Sequence, residues 1–176
     1  ECNTEEGWVR VQPGVIQDQL NDFLRPLGFQ FGPDTSTSNR ATIGGMIGSN
    51  SAGAHSILHG KTIDHVLELN VVLADGSEAC LGPLETGELD RRTRGENLEN
   101  RLYEETRKLG QAYREEILER FPRLLRRVSG YNLDELVAQG AEFGAGYSSE
   151  PGPYNLAKLI VGSEGTLAVV SEAKLR

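Results

Sequence analysis

The twenty residues from Ala41 to Gly60, ATIGGMIGSNSAGAHSILHG, restrict the fold of this 176-residue chain more than any other stretch. Five of them are glycine, and Ser49, Asn50, Ser51 and Ser56 add short polar side chains. None carries a formal charge, in a chain that is 25% charged. Glycine loses more backbone entropy on ordering than any other residue. A dense run of it therefore marks places where the main chain turns sharply or approaches something closely. One candidate occupant is an anion held by backbone N–H groups, whose dipoles supply the positive field that neutral side chains do not. A diphosphate suits that arrangement. The plainer reading is a set of tight packing turns. Neither common phosphate loop is present, since there is no GxxxxGK[ST] and no GxGxxG between a strand and a helix.

Charge narrows the partners. The net charge of −8 argues against a general nucleic-acid binder. It is uneven: residues 91–127 hold eleven basic and seven acidic side chains, so one basic helical segment sits in an acidic body. Two cysteines, Cys2 and Cys80, make neither a disulfide framework nor a zinc site. No apolar run is long enough to span a membrane and no secretory segment is visible, so the cytoplasm is the expected compartment.

Along the chain, GWVRVQPG reads as a strand ending in a turn at Pro13-Gly14. Ile16, Leu20, Phe23, Leu24 and Leu27 keep helical spacing, with Gly28 as the stop. HVLELNVVLADGSEACLG reads as a hairpin turning at Asp75-Gly76. Leu98, Leu102, Thr106, Leu109, Tyr113, Ile117 and Leu124 trace one helical stripe, weakened by Gly110 and stopped by Pro122. A glycine-rich loop over 140–153 leads to GSEG (162–165), a turn feeding a strand with Val169, Val170 and Leu175. The pattern is α+β.

Four segments in order, VRVQPGV, FGPDTSTSNRATIGGMIGSNSAGAHS, HGKTIDHVLELNVVLADG and LIVGSEGTLAVVSEAKL, together resemble the FAD-binding domain of the FAD-linked oxidases. This is the PCMH-type or vanillyl-alcohol-oxidase superfamily. Within it they are most similar to the D-2-hydroxyacid dehydrogenase branch, which holds D-lactate dehydrogenases, the glycolate oxidase FAD subunit and D-2-hydroxyglutarate dehydrogenases. The resemblance implies a mostly antiparallel sheet with flanking helices, with residues 1–84 and 154–176 as a partial FAD-binding domain and 85–153 as a helical insertion. It implies FAD as cofactor and a D-2-hydroxy acid as substrate of the parent protein, oxidised by hydride transfer to flavin N5. Large members fused to an iron–sulfur module share the IGGMIGSNSAGAHS form, which admits such a cluster in the parent but not in this chain. The family also carries an earlier glycine-rich loop and a C-terminal substrate cap, so the chain is expected to be a portion of a longer protein. The rival readings are a non-catalytic module with weak or no FAD binding, and another FAD enzyme of the superfamily.

Carried over by motif, the resemblance places Pro33, Asp34, Thr35, Ser36 and Thr37 along the flavin. It puts Gly44 and Gly45 near the isoalloxazine, and Gly48, Ser49, Asn50 and Gly53 at the diphosphate and ribitol. Gly60 and Ile63 would pack on the cofactor, Glu164 and Gly165 would border its adenosine or ribityl side, and Val169 would offer backbone atoms to a ring edge. No residue reads as a general base. The sequence departs from the family at Ala52, where relatives often have Cys, and at Ala54, where many have a second Gly.

Several residues keep two readings. Of His55, His59 and His65 the first pair could mimic a metal face, but no Cys or carboxylate stands at a useful offset, and His59, beside Gly60, reads as a packing or flavin-edge residue. Lys61 is either a phosphate contact or a surface lysine. Glu164 is a ligand contact or a capping carboxylate, and Asp34 a ligand contact or an Asx-turn residue. Trp8 and Tyr103 read as packing residues. The basic helical segment is a solvated face, or else a surface that docks on another domain or a second copy.

Overall fold

The computed structural model describes residues 1–122, 124, 127–128, 130–137 and 153–176. The stretch over 140–152 that reads as a glycine-rich loop lies outside the described residues, as do Arg123, Leu125 and Arg126 of the basic RLLRR run.

Alternation, interrupted by register shifts at Val66/Glu68 and Asn70/Val71, builds the sheet. The short β1 (Cys2–Asn3) and β2 (Trp8–Val11) are joined by a turn with Gly7 at φ +69. Helix α1 (Gln17–Leu24) follows, closing through a 3-10 turn at Arg25–Leu27 onto Gly28, whose φ of +83 provides the left-handed stop. Three short helices come next, α2 (Ile43–Gly48), α3 (Ser56–His59) and α4 (Thr62–His65). The hairpin of β3 (Val66–Val72) and β4 (Glu78–Leu81) then turns at Asp75-Gly76 as its sequence demands, with the Ser77 amide and hydroxyl bonded to Asp75 Oδ1.

After β5 (Pro83–Leu84) come α5 (Thr86–Arg92), α6 (Leu98–Ala112), α7 (Arg114–Arg120) and α8 (Asp134–Val137). The chain returns through β6 (Tyr154–Asn155), α9 (Ala157–Ile160) and β7 (Val169–Leu175). The five-stranded sheet has the order β1-β2-β7-β3-β4, with every described pair antiparallel. The strand from the far end of the sequence thus sits at the centre. β5 pairs with β6, so the strands flanking α5–α8 close on each other.

One sheet face is apolar: Val9, Leu69, Val71, Ala79, Leu81, Ala173 and Leu175 are all buried. The opposite face carries Arg10, which pairs with Glu68 at 2.9 Å and Glu172 at 3.1 Å. This is what a period of two produces when only one face meets a core.

The helical stripe from Leu98 to Leu124 is not continuous. Tyr113, at φ −108 and ψ 14, separates α6 from α7, and Leu109, Tyr113 and Leu124 are exposed by 40%, 55% and 62%. The buried residues are Tyr103, Gly110 and Ile117, seven apart. Gly110 faces the core because a Cβ there would stand 3.3 Å from the Leu136 carbonyl oxygen, so its bareness admits α8. The stripe reading treated as a weakness the residue that makes the contact.

Candidate functional site

Buried polarity is the informative signal in a protein interior, because apolar burial is the default there. Among the described residues seven polar or charged side chains are buried: Gln17, Asn50, Ser56, Lys61, Thr62, Asn132 and Ser163. All belong to, or bond directly to, the segments 33–63 and 161–165.

Gln17 holds the first segment. It sits at the start of α1 on the same face as Leu20 and Leu24 and is 2% exposed. Its Nε2 donates to the Pro33 carbonyl, and its Oε1 accepts from the Thr35 hydroxyl at 2.7 Å. A polar residue at a core-facing helical position was the available signal, and the reading of the apolar stripe passed over it.

Asp34 ties that segment to the glycine stretch. Its Oδ1 accepts from the His55 amide at 3.2 Å, and its Oδ2 meets His55 Nδ1 at 2.5 Å. Burial works to raise the Asp34 carboxyl, but the bonds from the His55 ring and amide outweigh it and hold the group below its ordinary value. Gly53 packs directly on Asp34, and a Cβ there would fall on the Asp34 carbonyl and carboxylate oxygens. Asp34 is thus neither a simple Asx-turn residue nor a free ligand.

The glycine stretch proper folds as α2. Thr42 caps it, accepting the Gly45 amide at 3.2 Å through Oγ1. The Ile43 and Gly44 amides donate to the Val15 and Pro13 carbonyls, both at 2.8 Å, and Met46 N donates to the Thr42 carbonyl. The first amides of α2 are therefore taken within the chain, and the open amide nest expected around Gly44 and Gly45 does not form there. A helix needs its N–H groups for its own ladder and cap. Gly44 has a packing reason, since a Cβ would stand 2.6 Å from Pro13 Cβ.

Gly45 is crowded only by the side chain of its own cap, and Gly48 only at ordinary contact distance. Gly45 is exposed and a Cβ there meets only Thr42 Oγ1, at 3.1 Å; at Gly48 it meets Glu164 Cα at an ordinary 3.7 Å. Neither has a positive φ. These two residues, three apart, leave one face of α2 bare, with exposed Ser49 beside it.

The end of α2 docks on the 162–165 turn. Gly162 N donates to the Ile47 carbonyl and Glu164 N to the Gly48 carbonyl, both at 2.9 Å. Glu164 and Gly165 take φ of +51 and +76, and both are exposed. Ser163 Oγ, in the same turn, is buried without a hydrogen-bond partner among the described residues. Asn50, at φ +46 and 1% exposed, accepts the Ile63 amide at 3.0 Å and donates to the Arg127 carbonyl. Asn132 donates to the Val161 carbonyl at 2.6 Å, so Asn132 backs the same turn. Thr62 bonds through both N and Oγ1 to the Ser51 carbonyl at 2.9 Å, and Ala52 bridges Lys61. Lys61 is 9% exposed, which removes the surface-lysine reading.

The structure thus joins Pro33, Asp34, Thr35 and Gly53 in one group, and Gly48, Asn50, Ile63 and Glu164 in a second, linked through Ser51 and Ala52. Gly60, at φ +74, leads into Lys61 beside that link. Ser36 and Thr37 stand exposed in the turn before Ala41, and exposed Val169 opens β7 opposite Val72, apart from both groups. No group of three or more His, Cys, Asp or Glu among the described residues is placed to hold a metal ion. No helix among them is long and apolar enough to cross a membrane.

Residues 1–81 match a family model described as "FAD binding domain". D-2-hydroxyglutarate dehydrogenase of Pantoea ananatis is 42% identical over 175 residues, covering 99% of this chain and 16% of that protein. Glycolate oxidase subunit GlcD of Bacillus subtilis is 40% identical over 76 residues, covering 43% of this chain and 16% of that protein. The solved structure of alkyldihydroxyacetonephosphate synthase superposes with a TM-score of 0.50 at 18% identity, over 98% of this chain and 19% of that one, and shares the fold. This chain therefore spans 16% of the length of the curated relatives it matches.

Proposed function

We propose that this chain, whose residues 1–81 belong to the FAD binding domain family, forms one wall of the FAD site of an oxidoreductase acting on a D-2-hydroxy acid. The observation that carries the reading is the bare face of α2. Glycine inside a helix costs about 1 kcal/mol relative to alanine, and among the described residues only the Thr42 cap hydroxyl, 3.1 Å from a Cβ at Gly45, crowds either position. A flat ligand that must approach the helix backbone does require it. Around that face stand Ser49, Glu164 and the polar segments fixed by Gln17, Asp34 and Asn50. The Ser163 hydroxyl adds a buried polar atom that the described residues leave unsatisfied. These features fit a flavin dinucleotide, which presents a planar ring and a polar, phosphate-bearing tail.

When bound, the flavin supplies at N5 the acceptor for hydride from the substrate α-carbon. The chain's own part is to position and shield. In this reading Gly45 and Gly48 admit the cofactor, Pro33–Thr35 and Gly53 border it on one side, and Asn50, Ile63, Glu164 and Gly165 border it on the other. In the same reading residues 85–153 are an insertion, and Asn132 within it braces the 161–165 turn. The substrate class rests on similarity to D-2-hydroxyglutarate dehydrogenase and to glycolate oxidase subunit GlcD.

Titration of the chain with FAD, followed by flavin fluorescence quenching, tests this. Saturable quenching is expected, together with a loss of at least ~10-fold in affinity in Gly45→Leu at unchanged circular dichroism, because leucine suits a helix and meets no neighbour beyond Thr42. Absence of saturable quenching by the wild-type chain, or equal affinity in the variant, would overturn the proposal.

A further inference from the structure

Ile63 is held from both sides by side chains of other segments. Its amide donates to Asn50 Oδ1 at 3.0 Å. Its carbonyl is among the last of α4, where a helix offers no partner of its own, and it accepts from Lys158 Nζ at 2.5 Å. Lys158 lies in α9, just before the 161–165 turn. Its own carbonyl accepts from Asn132 Nδ2 at 3.3 Å, the same amide group that bonds the Val161 carbonyl. One lysine thus joins α4 to the turn that docks on the end of α2.

Neighbouring charges decide whether that ammonium keeps its proton. Burial works against it, the carboxylates of Glu135 and Asp64 favour it and Arg176 opposes it, leaving the group below the ordinary lysine value. Glu135 belongs to α8 and acts on Lys158 through charge. Burial pushes the Glu135 carboxyl up, Asp134 and Asp64 add to that, and Lys158 and Lys61 counter it. The other cations beside α8 are engaged, Arg127 with Asp134 at 2.6 Å and Arg114 with the Val137 carbonyl at 2.7 Å. We infer that Lys158 is a positioning residue of the cofactor site, with Glu135 as its counter-charge: its ammonium fixes the Ile63 carbonyl, and so holds the Asn50–Ile63 bond and the 161–165 turn where the bound dinucleotide meets them. This inference rests on the FAD reading, in which Ile63 borders the cofactor.

FAD titrations of the whole chain between about pH 7 and 9.5, read by flavin fluorescence quenching, test it. Loss of the ammonium proton weakens its bond to Ile63, so wild-type affinity should fall toward the upper end. Glu135→Gln removes a charge that favours the protonated lysine, so the fall should begin at lower pH. Lys158→Arg keeps its proton throughout this range and should bind with a flat profile. Lys158→Met should bind ~10-fold more weakly across the range at unchanged circular dichroism. A lysine that only fills space would move none of these profiles. Wild-type affinity in Lys158→Met, or one pH profile shared by the wild type, Glu135→Gln and Lys158→Arg, overturns the inference alone. Should Lys158→Met fail to fold, the comparison of those three profiles still decides. A wild-type chain that binds no FAD at any pH removes the FAD reading and this inference with it.

Discussion

Gly53 and Gly45 lie eight positions apart in one glycine-rich stretch and lack a side chain for opposite reasons. At Gly53 the chain itself fills the space, with the Asp34 backbone and carboxylate; at Gly45 nothing but the helix's own cap residue is near. Gly53→Ala should therefore destabilise the protein by about 1–3 kcal/mol, because the 33–35 segment must move. Gly14→Ala, where a Cβ meets nothing within 4 Å, should change stability by less than about 1 kcal/mol. Urea unfolding of the two variants compares them, and equal midpoints would show that the Asp34 approach is not a packing constraint.

The same aspartate sets an acid limit. Its folded carboxyl is held below the ordinary 3.8, so the unfolded chain takes up a proton first as the pH falls. The stabilisation is complete above the unfolded value and is lost as the pH drops through the lower folded value. Asp34→Asn should start less stable at neutral pH and lose less on acidification below about pH 4, measured by circular dichroism in acid. Parallel acid curves for the two proteins would exclude the tie to His55 as the source.

At the scale of elements, strands were easier to read than helices. The hairpin at Asp75-Gly76 and the β7 strand follow from alternation and turn chemistry, which act over a few residues. The long helical stripe failed because the buried face of α6 and α7 is set by what packs on it: a glycine opposite α8 and a tyrosine beneath. Tyr103 is 0% exposed and its hydroxyl has no partner among the described residues, while burial pushes its ionisation far above the ordinary range. Removing an unsatisfied buried hydroxyl relieves a desolvation penalty, so Tyr103→Phe should be neutral or stabilising by up to about 1 kcal/mol. Tyr154→Phe, which forfeits a 2.9 Å bond to Thr106, should instead lose about 1 kcal/mol. Thermal melts of both variants test the contrast, and a clear loss in Tyr103→Phe would mean that its hydroxyl has a partner, such as an ordered water.

For the molecule as a whole, the site is assembled from residues far apart in the chain. Gln17, Asp34, Asn50, Lys61, Asn132 and Ser163 converge although they span most of its length. Their bonds run between segments, Asn50 to Arg127 and Asn132 to Val161 among them. The motifs PDTST, IGGMIG and GSEG were legible because each needs a local backbone form. Their braces were not: a buried glutamine or lysine looks like any other until the elements around it are placed.

By itself the sequence determined the α+β alternation, the turns at Gly28 and Gly76, and the run of residues small enough for a ligand to reach the main chain. Those properties belong to neighbours along the chain, where sterics and hydrogen bonding act directly. Only the tertiary structure decided which glycines are crowded by protein and which stay open, and that Lys61 is buried beside Ala52. Both depend on what another segment brings alongside, and no local pattern carries that information.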